Sequence, residues 1–447
     1  MEFLLFSLLQ MMNVSWFIGL SRCLHLAYWL AAVATVIASC SDDGEDYDWT
    51  DTGMLEQTGV PLLSIDTEGA APVTSKTEYL PATSSLSVQG RVTDLAYGTQ
   101  SVAFPRMAES FADVPLRIRG RGNSTWKADK KPYRIKFDEK RSMLGMRADK
   151  DWVLLANWYD RSALHTFTAY FLGAASGLDW TPSGDFVELV LNGEYQGLYF
   201  LSEQVEVASG RLPLAADGFL LEIDQPKRVE DDDVAFRTDR LNFVIKWPKT
   251  TYGSADYERI KSRVALFERT LFSNNWLDKE TGYAALIDME SFADWYLINE
   301  ITKNSDADFF SSCYVHTGLC GELMMGPIWD FDLSLGSTHH LKCRGAEGFW
   351  VRQAVWFSRM WDDPAFVAVL RTRFDRFKAE MPELYARLDA ERDYLLAAAQ
   401  QDNRRWNTFF RQCSYMPING SFKAEVRAVK DFLQQRMAWL DAQIRPC

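Results

Sequence analysis

Pro115-Leu-Arg-Ile-Arg-Gly-Arg-Gly-Asn-Ser-Thr-Trp126, followed closely by Pro132-Tyr-Arg-Ile-Lys-Phe137, decides the architecture of the first half of the chain. The first stretch begins as a strand and ends in a glycine-rich loop. The second is a strand whose alternation puts Tyr133, Ile135 and Phe137 on one face and Arg134 and Lys136 on the other. The loop between residues 119 and 125 can present backbone N–H groups, with Arg119 or Arg121, to an anion. It lacks Gly-Lys-Ser/Thr, so it is not a Walker loop, and it lacks the glycine spacing of dinucleotide sites. The same residues also fit a tight turn with Asn123 and Ser124 as local caps.

On the N-terminal side, residues 60–68 and 84–90 are short strand-like runs broken by polar turns. On the C-terminal side, residues 160–172 read as a helix capped by Asp160, and residues 185–191 and 196–203 as strands joined at Asn192-Gly193, a hairpin signal. Further strands are expected at 218–223 and 243–246. Beyond about residue 254 the pattern turns helical, most clearly at 288–300, where Phe292, Trp295, Tyr296 and Asn299 share one side. Helices also fit 354–360, 366–380, 391–400 and 423–441. The chain is therefore expected to be α+β, strand-rich first and helix-rich second, with a cleft between the halves.

Composition sets limits on partners. The chain has 447 residues, of which 47% are hydrophobic, enough to bury a large core. Its net charge of -13 argues against nucleic acid as a partner. Residues 1–39 are mostly apolar, carry Arg22, and end in Ile37-Ala38-Ser39 before Cys40. They read as a signal peptide with a lipoprotein box, Cys40 being the lipidated residue; a transmembrane anchor made from the same residues is the alternative. Residues 40–58 read as an acidic, flexible tether that resembles the surface-export tag of Bacteroidetes-type lipoproteins. Either way the folded part is expected outside the cytoplasm, at the outer membrane or cell surface. Past Cys40 remain Cys313, Cys320, Cys343, Cys413 and Cys447, an odd number, with Cys313 and Cys320 candidates for a bridge across a strand–turn–strand.

The strongest chemical constellation is Asn304-Ser-Asp306 followed by Asp330-Phe-Asp332. The first follows a helix and the second ends an apolar run, so both are poorly placed for core packing and well placed to face a cleft. Magnesium sites use one or two carboxylates together with phosphate oxygens, and phosphoryl transfer needs positioning, charge neutralisation and a carboxylate at the attacking hydroxyl. Loop capping or a structural calcium site would use the same residue types. Lys136 is the first candidate for a phosphate-contacting cation and Lys246 its rival; either also fits a surface lysine on a half-buried strand. No His-Glu-x-x-His, zinc-spaced cysteines or Gly-x-Ser-x-Gly occurs.

These stretches, together with Lys130-Lys-Pro132, Asp151-Trp-Val-Leu-Leu-Ala-Asn157, Asp160-Arg161-Ser162, Leu191-Asn-Gly-Glu-Tyr-Gln-Gly-Leu-Tyr199, Ser202-Glu-Gln204 and Gly326-Pro-Ile-Trp329, resemble the CotH kinase family in order and spacing. The resemblance implies an atypical protein-kinase-like, two-lobed fold over 59–363, with 364–447 a helical extension of the same domain. It implies ATP and Mg2+ or Mn2+ as cofactors, Asp306 as the catalytic aspartate, and Asp330, Asp332 and Asn304 as metal ligands. By analogy with kinase topology Lys136 would touch the nucleotide's phosphates and Glu203 would lie near its cleft; Arg119, Asn123 and Lys246 are the further nucleotide-binding candidates from the reading of the residues themselves. An exported or cell-surface protein would be the substrate. One departure stands out: many members carry a basic residue directly after the Asn-x-Asp element, where this chain has Ala307. Other phosphoryl or nucleotidyl transfers in the same cleft, and a non-catalytic lipoprotein that binds protein or glycan, are the competing readings.

Overall fold

A computed structural model describes residues 47–53, 55, 58–88, 109–413 and 416–444. The leader, Cys40 and most of the tether lie outside the described residues. The chain divides into two compact units, Met1–Trp49 and Thr50–Cys447, and the second carries the fold.

Seven strands form a closed barrel: β1 (Leu62–Thr67), β2 (Leu80–Ser87), β3 (Phe111–Gly120), β4 (Tyr133–Arg141), β5 (Asp149–Leu155), β6 (Gly184–Leu191) and β7 (Glu194–Glu203). Their order is β1-β2-β3-β4-β5-β7-β6, closed by parallel pairing of β6 with β1. The expected alternation holds: Tyr133, Ile135 and Phe137 are buried inside the barrel with Ile65, Ile118, Trp152 and Leu189. The β6–β7 hairpin turns at Asn192-Gly193, both in the left-handed region at φ 54° and 77°, the geometry that makes Asn-Gly a hairpin signal. Packing starts inside the stretch read as tether, since Leu55 and Thr58 are buried and Thr58 donates to Glu188 at 2.6 Å.

A second sheet has the order β12-β11-β8-β10-β9, made by β8 (Leu220–Ile223), β9 (Ala235–Arg237), β10 (Asn242–Trp247), β11 (Cys313–Thr317) and β12 (Leu323–Met325). The helices are α1 (His165–Ala175), α2 (Ala255–Leu271), α3 (Met289–Thr302), α4 (Leu341–Arg344), α5 (Val355–Met360), α6 (Pro364–Trp406) and α7 (Phe422–Ile444). The protein is thus a mixed α+β fold with an N-terminal barrel and a C-terminal helical region. Among the described residues no helix is long and apolar enough to cross a membrane.

Three expectations need correction. Residues 366–380 and 391–400 belong to one 43-residue helix, α6, which runs through Pro382. The helix expected from Asp160 begins at His165, with Leu164 at its N-cap. Asp160 instead braces the preceding turn, accepting the N–H of Ser162 at 2.9 Å and of His165 at 2.8 Å. Cys313 and Cys320 are both free. Cys313 opens β11 and Cys320 lies in the turn beyond its far end. At about 3.3 Å per residue that strand separates them by far more than the roughly 7 Å a disulfide tolerates.

Candidate functional site

α3 delivers the first aspartate. Asp288 caps it, accepting the Ser291 N–H at 2.6 Å, and Lys303 ends it in a left-handed conformation at φ 50°. The chain then makes a loop whose side chains tie it to the segment after β12. The Asn304 amide donates to the Asp330 carbonyl at 3.1 Å and to Asn299 Oδ1 at 3.2 Å, while Asn304 Oδ1 accepts the Asp306 N–H at 3.3 Å. Ser305 donates to the Leu333 carbonyl through its N–H at 3.0 Å and its hydroxyl at 2.9 Å. Asp306 and Asp330 are thereby fixed relative to one another.

Strained backbone sits at this junction. Phe309 has φ 67°, Ser312 φ 56° and Asp330 φ 66°. A bulky residue such as Phe309 holds this conformation only when its surroundings over-determine it. Its ring packs 5.1 Å from Trp356, 5.7 Å from Phe357 and 5.9 Å from Trp295, centroid to centroid. Asp330 is turned out into open space, where Ser312 donates to its Oδ2 at 3.1 Å.

The result is a cavity of about 400 Å³, roofed by the glycine-rich loop between β3 and β4, walled by the end of β5, α1 and β8, and floored by the two aspartate segments. That size is within the roughly 300–1,000 Å³ of small-molecule sites. Asn123, Asp306, Asp330 and Asp332 all line it, with Arg121, Arg228, Glu222 and Asp224.

The carboxylates perturb one another. Burial pushes the Asp306 pKa up to about 7, and the negative charge of Asp330 adds to it, while Arg228 opposes. Burial lifts Asp332 well above the usual carboxylate range, with Asp330, Asp306 and Asp160 adding and Arg121 opposing. Glu222 is pushed up to about 7 by burial, against the pull of Lys246. Desolvated carboxyls crowded together hold their protons more tightly, and such shifts cluster at functional sites. Among the described residues, no group of His, Cys, Asp and Glu side chains forms a metal cage.

The other expected site residues stand elsewhere. Lys136 pairs with Asp151 at 2.9 Å, and Arg134 holds the other oxygen of that carboxylate at 2.7 Å. Arg119 donates to the Lys76 carbonyl and lies over the Tyr79 ring at 5.1 Å. Glu203 is fully buried, accepting the Ser183 N–H at 2.7 Å and Arg147 at 2.9 Å. Lys246 pairs with Glu222 at 3.1 Å and Asp233 at 3.5 Å, one contact removed from the cavity. Asn304 lies beneath the floor with its amide engaged as described. Behind Asp332, the His165 ring contacts the Asp332 carbonyl at 3.1 Å and Asp160 at 3.3 Å, which gives Asp160-Arg161-Ser162 a supporting place.

Sequence reasoning missed Arg228, Glu222 and Asp224. Glu222 was legible as a single acid inside the apolar run Leu220-Leu-Glu-Ile223. Arg228 ends a short turn, Pro226–Arg228, with no periodic pattern to mark it.

The family profile described as CotH kinase protein matches residues 117–440. This chain belongs to the CotH family. The CotH match opens in β3 and closes in α7, so it takes in the helices read as an extension, whereas β1 and β2, which complete the barrel, precede it. CotH membership brings kinase-like chemistry in general terms. No curated protein matches the chain significantly.

Proposed function

We propose that this CotH protein transfers the terminal phosphoryl group of ATP, with a divalent cation, to a Ser or Thr hydroxyl of an exported protein. One observation carries the reading: Asp306 from one segment, and Asp330 and Asp332 from another, open onto one cavity roofed by a glycine-rich loop. Magnesium needs only one or two carboxylates beside phosphate oxygens and water, so the donor set fits it. Asp330 and Asp332 would hold the ion, and Asn304 keeps their segment aligned with Asp306. The ion, when bound, neutralises charge on the phosphates. Asp306 stands as the general base. The acceptor oxygen bonds to the γ-phosphorus as the bond from that phosphorus to the β–γ bridging oxygen breaks. The hydroxyl proton passes to the Asp306 carboxylate, and ADP leaves with the bond's electron pair. Lys136, in this reading, stabilises the β4–β5 edge through Asp151.

The acceptor class rests on the N-terminus: a leader removed before Cys40, with lipid on that cysteine, presents the cleft to exported proteins. The deciding experiment is calorimetric titration of ATP into the full-length chain with magnesium or manganese, beside Asp330→Ala. Metal-dependent binding that the variant loses is expected. No binding by a folded wild-type chain with either metal would remove the phosphoryl-transfer reading.

A further inference from the structure

The cavity holds two arginines that no carboxylate neutralises at contact distance. Arg121 comes from the glycine-rich roof and Arg228 from the turn after β8. Among the described residues, the Arg121 guanidinium makes no hydrogen bond or ion pair; it lies over the Trp329 ring at 5.7 Å. Arg228 donates one hydrogen bond, to Ser311 Oγ at 2.6 Å, and lies over the Phe310 ring at 4.8 Å. Each planar cation is thus backed by an aromatic face and keeps most of its donors free.

An arginine placed only to balance the aspartates would sit against them. Neither Arg121 nor Arg228 comes within 4.0 Å of a carboxylate oxygen among the described residues. Arg121 instead meets the Asp330 segment through Trp329, and Arg228 the loop after Asp306 through Phe310 and Ser311. A desolvated guanidinium without a partner is costly, and an oxyanion that accepts its fork of N–H groups removes the cost. Arg121 fits that description, and the half-buried Arg228 keeps the N–H groups that Ser311 does not take; two cations so placed, one near each aspartate segment, suit an extended anion lying across the cluster.

We propose that Arg121 and Arg228 form a guanidinium clamp for a polyphosphate chain, Arg121 on the Asp330 side and Arg228 on the Asp306 side. Arg228 supplies from another segment the positive charge that Ala307 lacks directly after Asp306. The choice of a nucleoside triphosphate as the source of that chain rests on the phosphoryl-transfer reading; the clamp itself is an oxyanion site.

The test titrates inorganic tripolyphosphate and, separately, magnesium–ATP into the full-length chain and its Arg121→Ala, Arg228→Ala, Arg121→Lys and Lys136→Ala variants, with thermal unfolding as the folding control. Loss of one charge-assisted pair is expected to weaken binding about 10- to 100-fold in each alanine variant. Lys136→Ala should bind as wild type. Arg121→Lys keeps the charge but loses the fork, so a smaller weakening is expected, and it decides the matter if Arg121→Ala does not fold. Unchanged affinity in folded Arg121 and Arg228 variants overturns the clamp, as does loss of binding in Lys136→Ala, or a folded wild type that binds neither probe. Arginine-dependent binding of tripolyphosphate without phosphoryl transfer to any protein acceptor would keep the clamp and remove the kinase reading.

Discussion

Two side chains show what single residues contribute. Phe309 holds a left-handed backbone in place by burying its ring among Trp295, Trp356 and Phe357. Phe309→Ala removes the ring and keeps the strain, so a loss of about 3–5 kcal/mol is expected in urea denaturation, within the range for buried aromatic truncations. A loss below 1 kcal/mol would mean the loop is not anchored by this ring. Glu188 is fully buried, accepting Thr58 at 2.6 Å and Tyr195 at 3.2 Å, and burial pushes its pKa up from 4.5 to about 7. Between those values the folded state keeps a proton that the unfolded state has released. The stabilising contribution is therefore complete below pH 4.5 and is lost as pH rises through about 7. Glu188→Gln removes this dependence, with a gain on the order of 3 kcal/mol above pH 7. Melting curves from acid to mildly alkaline pH check it; parallel curves for the two proteins would contradict the assignment. At this scale sequence reading was uneven. Asp306, Asp330 and Asp332 were legible because acids at the ends of elements have nowhere apolar to go. Arg121 and Arg119 could not be told apart, because alternation along a strand stops at the loop where they part.

The elements were legible wherever one face of a segment is buried and the other is not. β4 is such a strand, with Tyr133, Ile135 and Phe137 inside and Arg134 and Lys136 outside. α6 shows where a local signal misleads. Its buried residues Phe374, Phe377, Met381, Leu384 and Leu388 keep helical spacing straight across Pro382. A proline inside a helix lacks an N–H and crowds the preceding turn, which disfavours the helix at that point. The apolar stripe, packed against α3, α7 and β7, overrides it. Pro382 itself is exposed, so its ring contributes little packing. Pro382→Ala is therefore expected to raise stability by about 1–3 kcal/mol, the helix-interior penalty less the entropy returned to the unfolded chain. A lower melting temperature in the variant would show that α6 needs its proline.

Across the whole molecule, the distant C-terminal helix holds the cleft, and nothing local in the sequence announces it. Arg436 of α7 and Glu300 of α3 form a fully buried ion pair at 2.5 Å. Arg436 also donates to the carbonyls of Glu300 at 2.9 Å, Ala346 at 2.6 Å and Gly348 at 2.8 Å. Glu300 accepts the N–H groups of Trp350 at 2.7 Å and Arg352 at 3.0 Å. Glu300 stands just before Lys303 and Asn304, so this network fixes the last turn of α3 and the start of the aspartate loop. Lys130 does similar work at the barrel, pairing with Asp402 of α6 at 2.5 Å. A buried pair this well satisfied is costly to break from one side, because the remaining charge has no water to turn to. Arg436→Ala and Glu300→Ala are each expected to cost about 3–5 kcal/mol. The double variant should cost clearly less than their sum, since the second removal takes away the stranded charge. It should not return to wild-type stability, because the N–H groups of Trp350 and Arg352 then lack their acceptor. Urea denaturation of the four proteins measures the coupling; additive losses would show that α7 and α3 meet without acting as a pair. Amide exchange across residues 303–312 in Arg436→Ala then separates two consequences. Faster exchange there than in the barrel means the C-terminal helix sets the geometry of the aspartate loop, whereas a uniform rise means it only adds to global stability.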